Sequence, residues 1–146
     1  MAYWDTSALI KLYAQESDSG AFVARATSSA DPPVTSRIAL YEAHATFRRK
    51  EAEGALQPGA TQRLVQQLLN DVASGNIRIT DLSADFEREY GLVLDTCYSK
   101  TPPVLLRTFD CIHLASARTA RETELVATDK RLRDAGKVLG FSLFPV

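Results

Sequence analysis

The sequence predicts an α/β fold in which a central parallel sheet is flanked by helices. Short apolar segments with strand character alternate along the chain with longer segments whose apolar residues recur at helical spacing. Such alternation is typical of parallel sheets covered by helices. The chain has 146 residues, of which 45% are hydrophobic and 24% are charged. It is therefore expected to form a single domain, residues 1–146, with a core of its own.

Each expected element is bounded by residues that start or stop regular structure. Thr6 and Ser36 carry side-chain oxygens of the kind that cap helix N-termini, and Gly54 suits a helix end. Pro32 and Pro33 interrupt the chain before the second strand. In chain order we expect strands at 2–4, 34–35, 77–80, 124–128 and 141–144, and helices at 6–15, 20–27, 36–53, 58–73, 83–98, 108–121 and 129–138.

Four acidic residues lie at the edges of separate apolar segments: Asp5, Glu42, Asp110 and Asp129. Burying a carboxylate beside a core costs free energy unless the charge is paired. Asp5 and Asp129 directly follow expected strands, and open parallel sheets bind ligands beyond the carboxyl ends of their strands. If the fold gathers the four acids, they form an oxygen-lined pocket for a hard divalent cation. This pattern indicates metal-dependent phosphodiester chemistry.

Each of these acids also has a structural interpretation. Asp5, Asp110 and Asp129 stand near expected helix N-termini, where a negative charge gains about 0.3–1 kcal/mol from the helix dipole. Glu42 lies inside its helix, so it is either half of a salt bridge or part of a site. His113 shares a helix face with Asp110 and could be a general base or a metal ligand. We interpret His113 as a hydrogen-bonded core residue, the more common role for a lone histidine in an apolar helix.

Basic residues flank the candidate carboxylates. The candidates for contacts to an RNA backbone are Arg48, Arg49, Arg107, Lys130 and Arg131. Arginine and lysine are the usual partners of phosphate oxygens, although clusters of this kind also occur on solvated helix faces. The formal net charge is −1, so a nucleic acid would have to be bound by a local basic patch.

Several other classes of protein find little support. No apolar run approaches the roughly 18 residues of a membrane span, and no basic segment precedes the first apolar stretch as in a secretory signal. Cys97 and Cys111 lack metal-ligand spacing and are expected to be reduced, buried thiols in a cytoplasmic protein. No glycine-rich phosphate loop is present. Ser7 stands where a haloacid-dehalogenase phosphatase needs a second aspartate, and Asp81 follows too short a strand for a phospho-acceptor.

Four segments resemble, in order, the motifs of PIN-domain ribonucleases. They are WDTSALIKLY at 4–13, SRIALYE at 36–42, LRTFDCIHLASA at 106–117 and VATDKRL at 126–132. The third segment is the most specific match, and the ordered set covers essentially the whole chain. The length and layout look like those of the VapC-type toxins of bacterial toxin–antitoxin pairs.

The resemblance implies a PIN-like three-layer sandwich and endonucleolytic cleavage of RNA that a partner antitoxin inhibits. It implies Mg²⁺ or Mn²⁺ in the acidic pocket, with Asp5 and Asp110 as the metal-binding aspartates. Glu42 and Asp129 match the remaining catalytic acids. Thr6, Ser7 and Thr128 match the polar positions that support these acids.

Two questions stay open at this level. Apolar residues of the helix at 83–98, together with Leu12, Tyr13 and Phe22, would suit an amphipathic antitoxin helix or a second copy of the chain if any of them are exposed. A homodimer is therefore expected. The alternative to an active nuclease is a module of the same fold that binds RNA or antitoxin and cleaves weakly or not at all.

Overall fold

Five short parallel strands form one sheet at the centre of the molecule. The computed structural model describes residues 1–146, and its strands are β1 (Ala2–Trp4), β2 (Val34–Ser36), β3 (Arg78–Thr80), β4 (Glu124–Val126) and β5 (Ser142–Phe144). The order across the sheet is β3-β2-β1-β4-β5, and each neighbouring pair is parallel. The predicted α/β fold with a central parallel sheet is confirmed.

Seven α-helices connect and cover the strands. They are α1 (Thr6–Leu9), which continues into a 3₁₀ turn (Ile10–Leu12), α2 (Ser19–Ser28), α3 (Arg37–Ala52), α4 (Ala60–Ser74), α5 (Phe86–Tyr98), α6 (Thr108–Thr119) and α7 (Lys130–Val138). Parallel strands require crossover connections of this kind. None of the helices combines the length and apolar character needed to cross a lipid bilayer.

Most element boundaries shift by one or two residues from the prediction, and three shifts have a visible cause. The first helix ends near Leu12 instead of reaching residue 15, because the chain turns there and the buried Lys11 forms ion pairs with Glu16 and Asp18. Strand β4 ends at Val126 instead of residue 128. The amide N–H of Thr128 donates to a side-chain hydroxyl instead of to a neighbouring strand. Helix α5 begins at residue 86, after a turn that starts at residue 83.

The sheet is covered by helices on both faces, and β1 contributes to both cores by strand alternation. Tyr3 packs with residues of α5, α6 and α7. Ala2 and Trp4 point to the opposite side, where Trp4 contacts Phe22 of α2 edge to face. A third cluster, around Phe47, joins α1, α3 and α4. The two cysteines are free and buried, as predicted.

The strand order places a crevice beside the centre of the sheet. From β1 the chain first builds outward through β2 and β3, and then returns to the other side of β1 with β4 and β5. The order therefore reverses between β1 and β4, and ligands of open α/β sheets bind at such a switch point. Asp5 immediately follows β1, and Asp129 lies three residues after the end of β4.

Gly136 of α7 is required where this helix crosses the sheet. A Cβ atom at Gly136 would lie 2.7 Å from Cδ2 of Leu125 and 3.2 Å from Cδ2 of Leu143. Leu125 is fully buried, so it cannot move without displacing its neighbours. Alanine gains about 1 kcal/mol over glycine inside an exposed helix, whereas overpacking a core costs about 1–3 kcal/mol. We expect Gly136→Ala to lower the free energy of unfolding in urea.

Gly91 of α5 supplies the matched control, since a Cβ atom there would meet nothing within 4 Å. Gly91→Ala is expected to raise the free energy of unfolding by up to about 1 kcal/mol. A Gly136→Ala protein as stable as the Gly91→Ala protein would contradict the close packing of α7 on the sheet.

Candidate active site

Asp5 is a buried carboxylate at the switch point of the sheet. Only 4% of the residue is exposed. Its Oδ1 atom accepts the backbone N–H of Ala8 at 3.1 Å, which caps α1, and the hydroxyl of Ser7 lies 2.8 Å from both carboxyl oxygens. Burial raises the pKa of Asp5 to about 6, although His113 and these hydrogen bonds oppose the rise. The structure thus holds an acid with no directly bonded cation next to the centre of the sheet.

Ser7 ties the end of β1 to the loop after β4. Its hydroxyl donates to Asp5 and accepts the backbone N–H of Thr128 at 2.9 Å. Ser7 therefore contacts Asp5 directly, as a supporting residue should. Thr128 takes part through its backbone, which brings the neighbouring Asp129 toward the same edge of the sheet.

Glu42 of α3 is held by two other elements. Its Oε1 atom accepts hydrogen bonds from Thr6 Oγ1 at 2.7 Å and from His113 Nε2 at 2.6 Å. Burial raises the pKa of Glu42, but the bonds from His113 and Thr6 outweigh burial and hold the pKa below its ordinary value. Thr6 thus supports Glu42. Glu42 was expected to be half of a salt bridge or part of a site, and the structure pairs this half-buried residue with a histidine, not with a lysine or arginine.

His113 of α6 is 3% exposed and bonded through both ring nitrogens. Its Nε2 atom contacts Glu42, and its Nδ1 atom lies 2.8 Å from the hydroxyl of Tyr3. Burial disfavours the protonated imidazole, but Tyr3 and the carboxylates of Glu42 and Asp5 favour it more strongly and raise the pKa of His113. His113 is a hydrogen-bonded core residue, as interpreted from the sequence, yet its partner is a candidate catalytic acid.

Sequence reasoning missed Tyr3. It is fully buried in the central strand, and its hydroxyl accepts the backbone N–H of Ser36 at 3.1 Å. A tyrosine in a buried strand needs a partner for its hydroxyl, and this requirement is the signal that could have identified it.

Asp110 and Asp129 line one open cavity of about 520 Å³. Asp110 Oδ2 accepts the backbone N–H of Arg107 at 3.0 Å, and Asp129 Oδ1 accepts that of Leu132 at 3.0 Å. Both acids therefore do cap helix N-termini. Each bond uses one carboxyl oxygen, and the second oxygen of each acid bonds to no protein group. A structural role and a place in a site are thus compatible for both residues.

Three of the five predicted phosphate contacts line the same cavity: Arg107, Lys130 and Arg131. The other two do not. Arg48 pairs with Glu51 at 3.1 Å and lines a separate cavity with His44, and Arg49 lies beside it on the exposed end of α3. The helix runs away from the switch point, and two turns separate Glu42 from Arg49. The structure therefore does not bring Arg48 and Arg49 to the acids.

Glu42 lines a second cavity, also of about 520 Å³, which is mostly apolar. Its lining includes the exposed residues Tyr41, Leu82 and Phe109, which are 66%, 70% and 50% exposed. Of the apolar surface expected from the sequence, Leu92 of α5 is 43% exposed. Phe22 is buried in the core, and Leu12 and Tyr13 pack against core residues. The exposed apolar patch thus comes from α3, α6 and the chain after β3.

The four acids do not form a tight cluster. No three histidine, cysteine, aspartate or glutamate side chains lie close enough to hold a metal ion together. Mg²⁺ takes only one or two protein carboxylates directly and keeps several waters, so a set of three is not required. The all-oxygen donors and the buried Asp5 carboxylate without an ion pair fit a hard divalent cation.

Comparison with known proteins identifies relatives over nearly the whole chain. A family model described as PIN domain matches residues 2–138. Ribonuclease VapC46 of Mycobacterium tuberculosis (strain ATCC 25618 / H37Rv) is 32% identical over 143 residues, which cover 97% of this chain and 94% of that protein. The crystal structure of M. tuberculosis VapC20, a sarcin-ricin loop cleaving toxin, matches with a TM-score of 0.69. That match covers 93% of this chain and 95% of VapC20 at 19% identity, and it bears on the fold alone.

The raised pKa of Asp5 predicts a specific dependence of stability on pH. The folded protein holds the Asp5 proton up to a pH of about 6, whereas the unfolded chain releases it near pH 4. The protonated Asp5 carboxyl therefore contributes its full share to the free energy of unfolding below about pH 4, and this contribution is lost as the pH rises through about 6. We expect a loss of roughly 2–3 kcal/mol between about pH 4 and pH 6.5 that Asp5→Asn abolishes.

Urea unfolding of both proteins in EDTA measures this difference. His113 stays protonated in the folded protein throughout this range, and the unfolded chain releases the corresponding proton only near pH 6.5. Its contribution in this window is therefore small and is present in both proteins. If the stability of the wild-type protein changes with pH in the same way as that of Asp5→Asn, burial does not raise the pKa of Asp5.

Proposed function

The chain belongs to the PIN domain family, and from this premise we propose that it is a metal-dependent endoribonuclease and the toxin of a toxin–antitoxin pair. The relatives are a ribonuclease and a sarcin-ricin loop cleaving toxin by name. The observation that carries the proposal is the buried Asp5 carboxylate at the switch point between β1 and β4. Such a charge is costly to bury unless a cation bound at the site compensates it.

Asp5 and Asp110 are the residues that would hold Mg²⁺ or Mn²⁺. When bound, the ion polarises a phosphoryl oxygen and lowers the pKa of a water molecule. The hydrogen bonds to Ser7, Ala8 and the backbone of Arg107 fix these two carboxylates before any cation arrives. Preorganised acids need little rearrangement on binding.

Glu42 and Asp129 act on the attacking water. The low pKa of Glu42 keeps it ionised at neutral pH, so it can accept a hydrogen bond from a water at all times. This property suits orientation of the nucleophile more than strong general-base action. Asp129 is exposed at the start of α7 and has one oxygen left to accept a proton.

Arg107, Lys130 and Arg131 would bind the RNA backbone beside the acids. All three are exposed and line the cavity that contains Asp110 and Asp129. Arg107 and Arg131 form no ion pair, whereas Lys130 pairs with Asp134 at 2.5 Å. The two arginines are therefore available for phosphate without breaking a contact.

Arg131→Ala is expected to weaken RNA binding and to reduce its salt dependence. Each phosphate contact to a single strand contributes about 0.7 to the slope of log K against log salt. Titration of fluorescent RNA at several salt concentrations, in EDTA, measures the slope. Arg63→Ala, an exposed arginine on α4, is the control and should leave the slope unchanged. Equal slopes for both variants would exclude Arg131 as a phosphate contact.

The proposed partners are RNA, a cognate antitoxin and a second copy of the chain, all in the cytoplasm. The apolar cavity beside Glu42 supports a protein partner, because exposed apolar patches of this kind mark interaction surfaces. We assign this cavity to the homodimer. Sedimentation equilibrium of the purified protein measures its mass, and a monomer at micromolar concentration would refute the assignment.

Cleavage of labelled total RNA tests the activity. We expect discrete products with Mg²⁺ or Mn²⁺ and none with EDTA. Asp5→Asn and Asp110→Asn should each lower the rate by at least about 100-fold, since the removal of one group that stabilises transition-state charge costs about that much. Asp95→Asn, which changes an exposed acid on α5, is the matched control and should cleave at the wild-type rate.

The alternative is a module of the same fold that binds RNA or antitoxin without turnover. Such a module would use the exposed Arg107 and Arg131 and the apolar cavity beside Glu42, and it would not need a bound metal ion. RNA binding by well-folded protein without metal-dependent products would support it and refute the proposed nuclease.

A further inference from the structure

We propose that His113 is a positioning residue whose Nε2–H holds one oxygen of the Glu42 carboxylate and leaves the other oxygen free for the attacking water. The proposal rests on the proposed function of Glu42. The buried His113 then has a positioning role in addition to its structural role in the core.

The direction of the bond between His113 and Glu42 follows from the chemistry of the two groups. Glu42 is ionised, and a carboxylate can only accept hydrogen bonds. The contact of 2.6 Å therefore requires a hydrogen on Nε2 of His113, whether the imidazole is neutral or charged. Thr6 Oγ1 donates to the same Oε1 atom at 2.7 Å. Both donors thus converge on one oxygen of Glu42.

The other end of the His113 ring is fixed as firmly. Nδ1 bonds to the hydroxyl of Tyr3 at 2.8 Å, and that hydroxyl accepts the backbone N–H of Ser36 at 3.1 Å. The two rings meet edge to face, with centroids 5.9 Å apart. Tyr3 is fully buried and His113 is 3% exposed, so neither ring can turn without loss of packing. The chain from Ser36 through Tyr3 to His113 therefore determines where Nε2 points.

The free oxygen of Glu42 is the part of the network that reaches the solvent. Oε2 bonds to no protein group, and 27% of the Glu42 side chain is exposed. A carboxylate fixed through one oxygen presents the second in a defined direction. An ångström of misplacement in a reacting group can cost about 100-fold in rate. A purely structural histidine would form hydrogen bonds through its two ring nitrogens, and its replacement would not change where the Oε2 atom of Glu42 points.

Two substitutions at His113 separate these roles. The amide of asparagine lies where Nδ1 lies, so His113→Asn can keep the bond to Tyr3 but cannot reach Glu42. The longer glutamine places its amide nitrogen near the Nε2 position. We expect His113→Asn to lower the single-turnover cleavage rate roughly 10- to 100-fold, with RNA affinity nearly unchanged, and His113→Gln to recover part of the loss. His44→Asn, on the exposed side of α3, should retain the wild-type rate.

A double-mutant cycle with Glu42→Gln guards against a simple folding defect. Rates are taken per folded molecule, with the folded fraction measured by urea unfolding. If His113 acts through Glu42, His113→Asn causes no further loss in the Glu42→Gln protein. Additive losses, or equal cleavage by His113→Asn and wild type, would overturn the positioning role.

Nitrogen NMR of the imidazoles gives a reading that does not need cleavage. The chain has two histidines, and His44 serves as the internal reference. The Nε2 signal of His113 should shift on Glu42→Gln, and the Nδ1 signal on Tyr3→Phe. Unchanged signals would refute the network itself. If the variants shift these signals as expected but the wild-type protein cleaves no RNA, the proposed function is refuted, and the positioning role with it.

Discussion

The central constraint on this molecule is a carboxylate buried at the end of its middle strand. Asp5 follows β1, the third of the five strands across the sheet, and it is 4% exposed. Its raised pKa corresponds to a cost of roughly 3 kcal/mol for the ionised form at neutral pH. A domain of this size has only about 5–15 kcal/mol of net stability. The hydrogen bonds from Ser7 and Ala8 already limit that cost, and the stability of the surrounding core offsets the remainder.

Helix caps and the candidate site use the same acids. Asp5, Asp110 and Asp129 each accept a backbone N–H at the beginning of a helix. For Asp110 and Asp129, the second oxygen bonds to no protein group. Each acid gains free energy from its own helix, which offsets part of the cost of placing a carboxylate beside the core.

Glu42 depends on tertiary contacts in a different way. It is inside α3, not at its start, so no helix terminus stabilises it. Thr6 of α1 and His113 of α6 hold its Oε1 atom, and Tyr3 of β1 holds His113. Residues far apart in the chain thus converge on one side chain. The low pKa of Glu42 is the electrostatic result of this convergence.

The sequence by itself determined the alternation of strands and helices, the position of each acid at the edge of an apolar segment, and the family. These features are local, since apolar periodicity and cap residues are read within a few positions of the chain. Only the tertiary structure decided that β4 lies beside β1, that Glu42 pairs with His113, and that Arg107 and Arg131 reach the acids while Arg48 and Arg49 do not. Hydrogen bonds between residues 71 or 110 positions apart leave no periodic signal in a single sequence, because the partners meet only after the helices pack on the sheet.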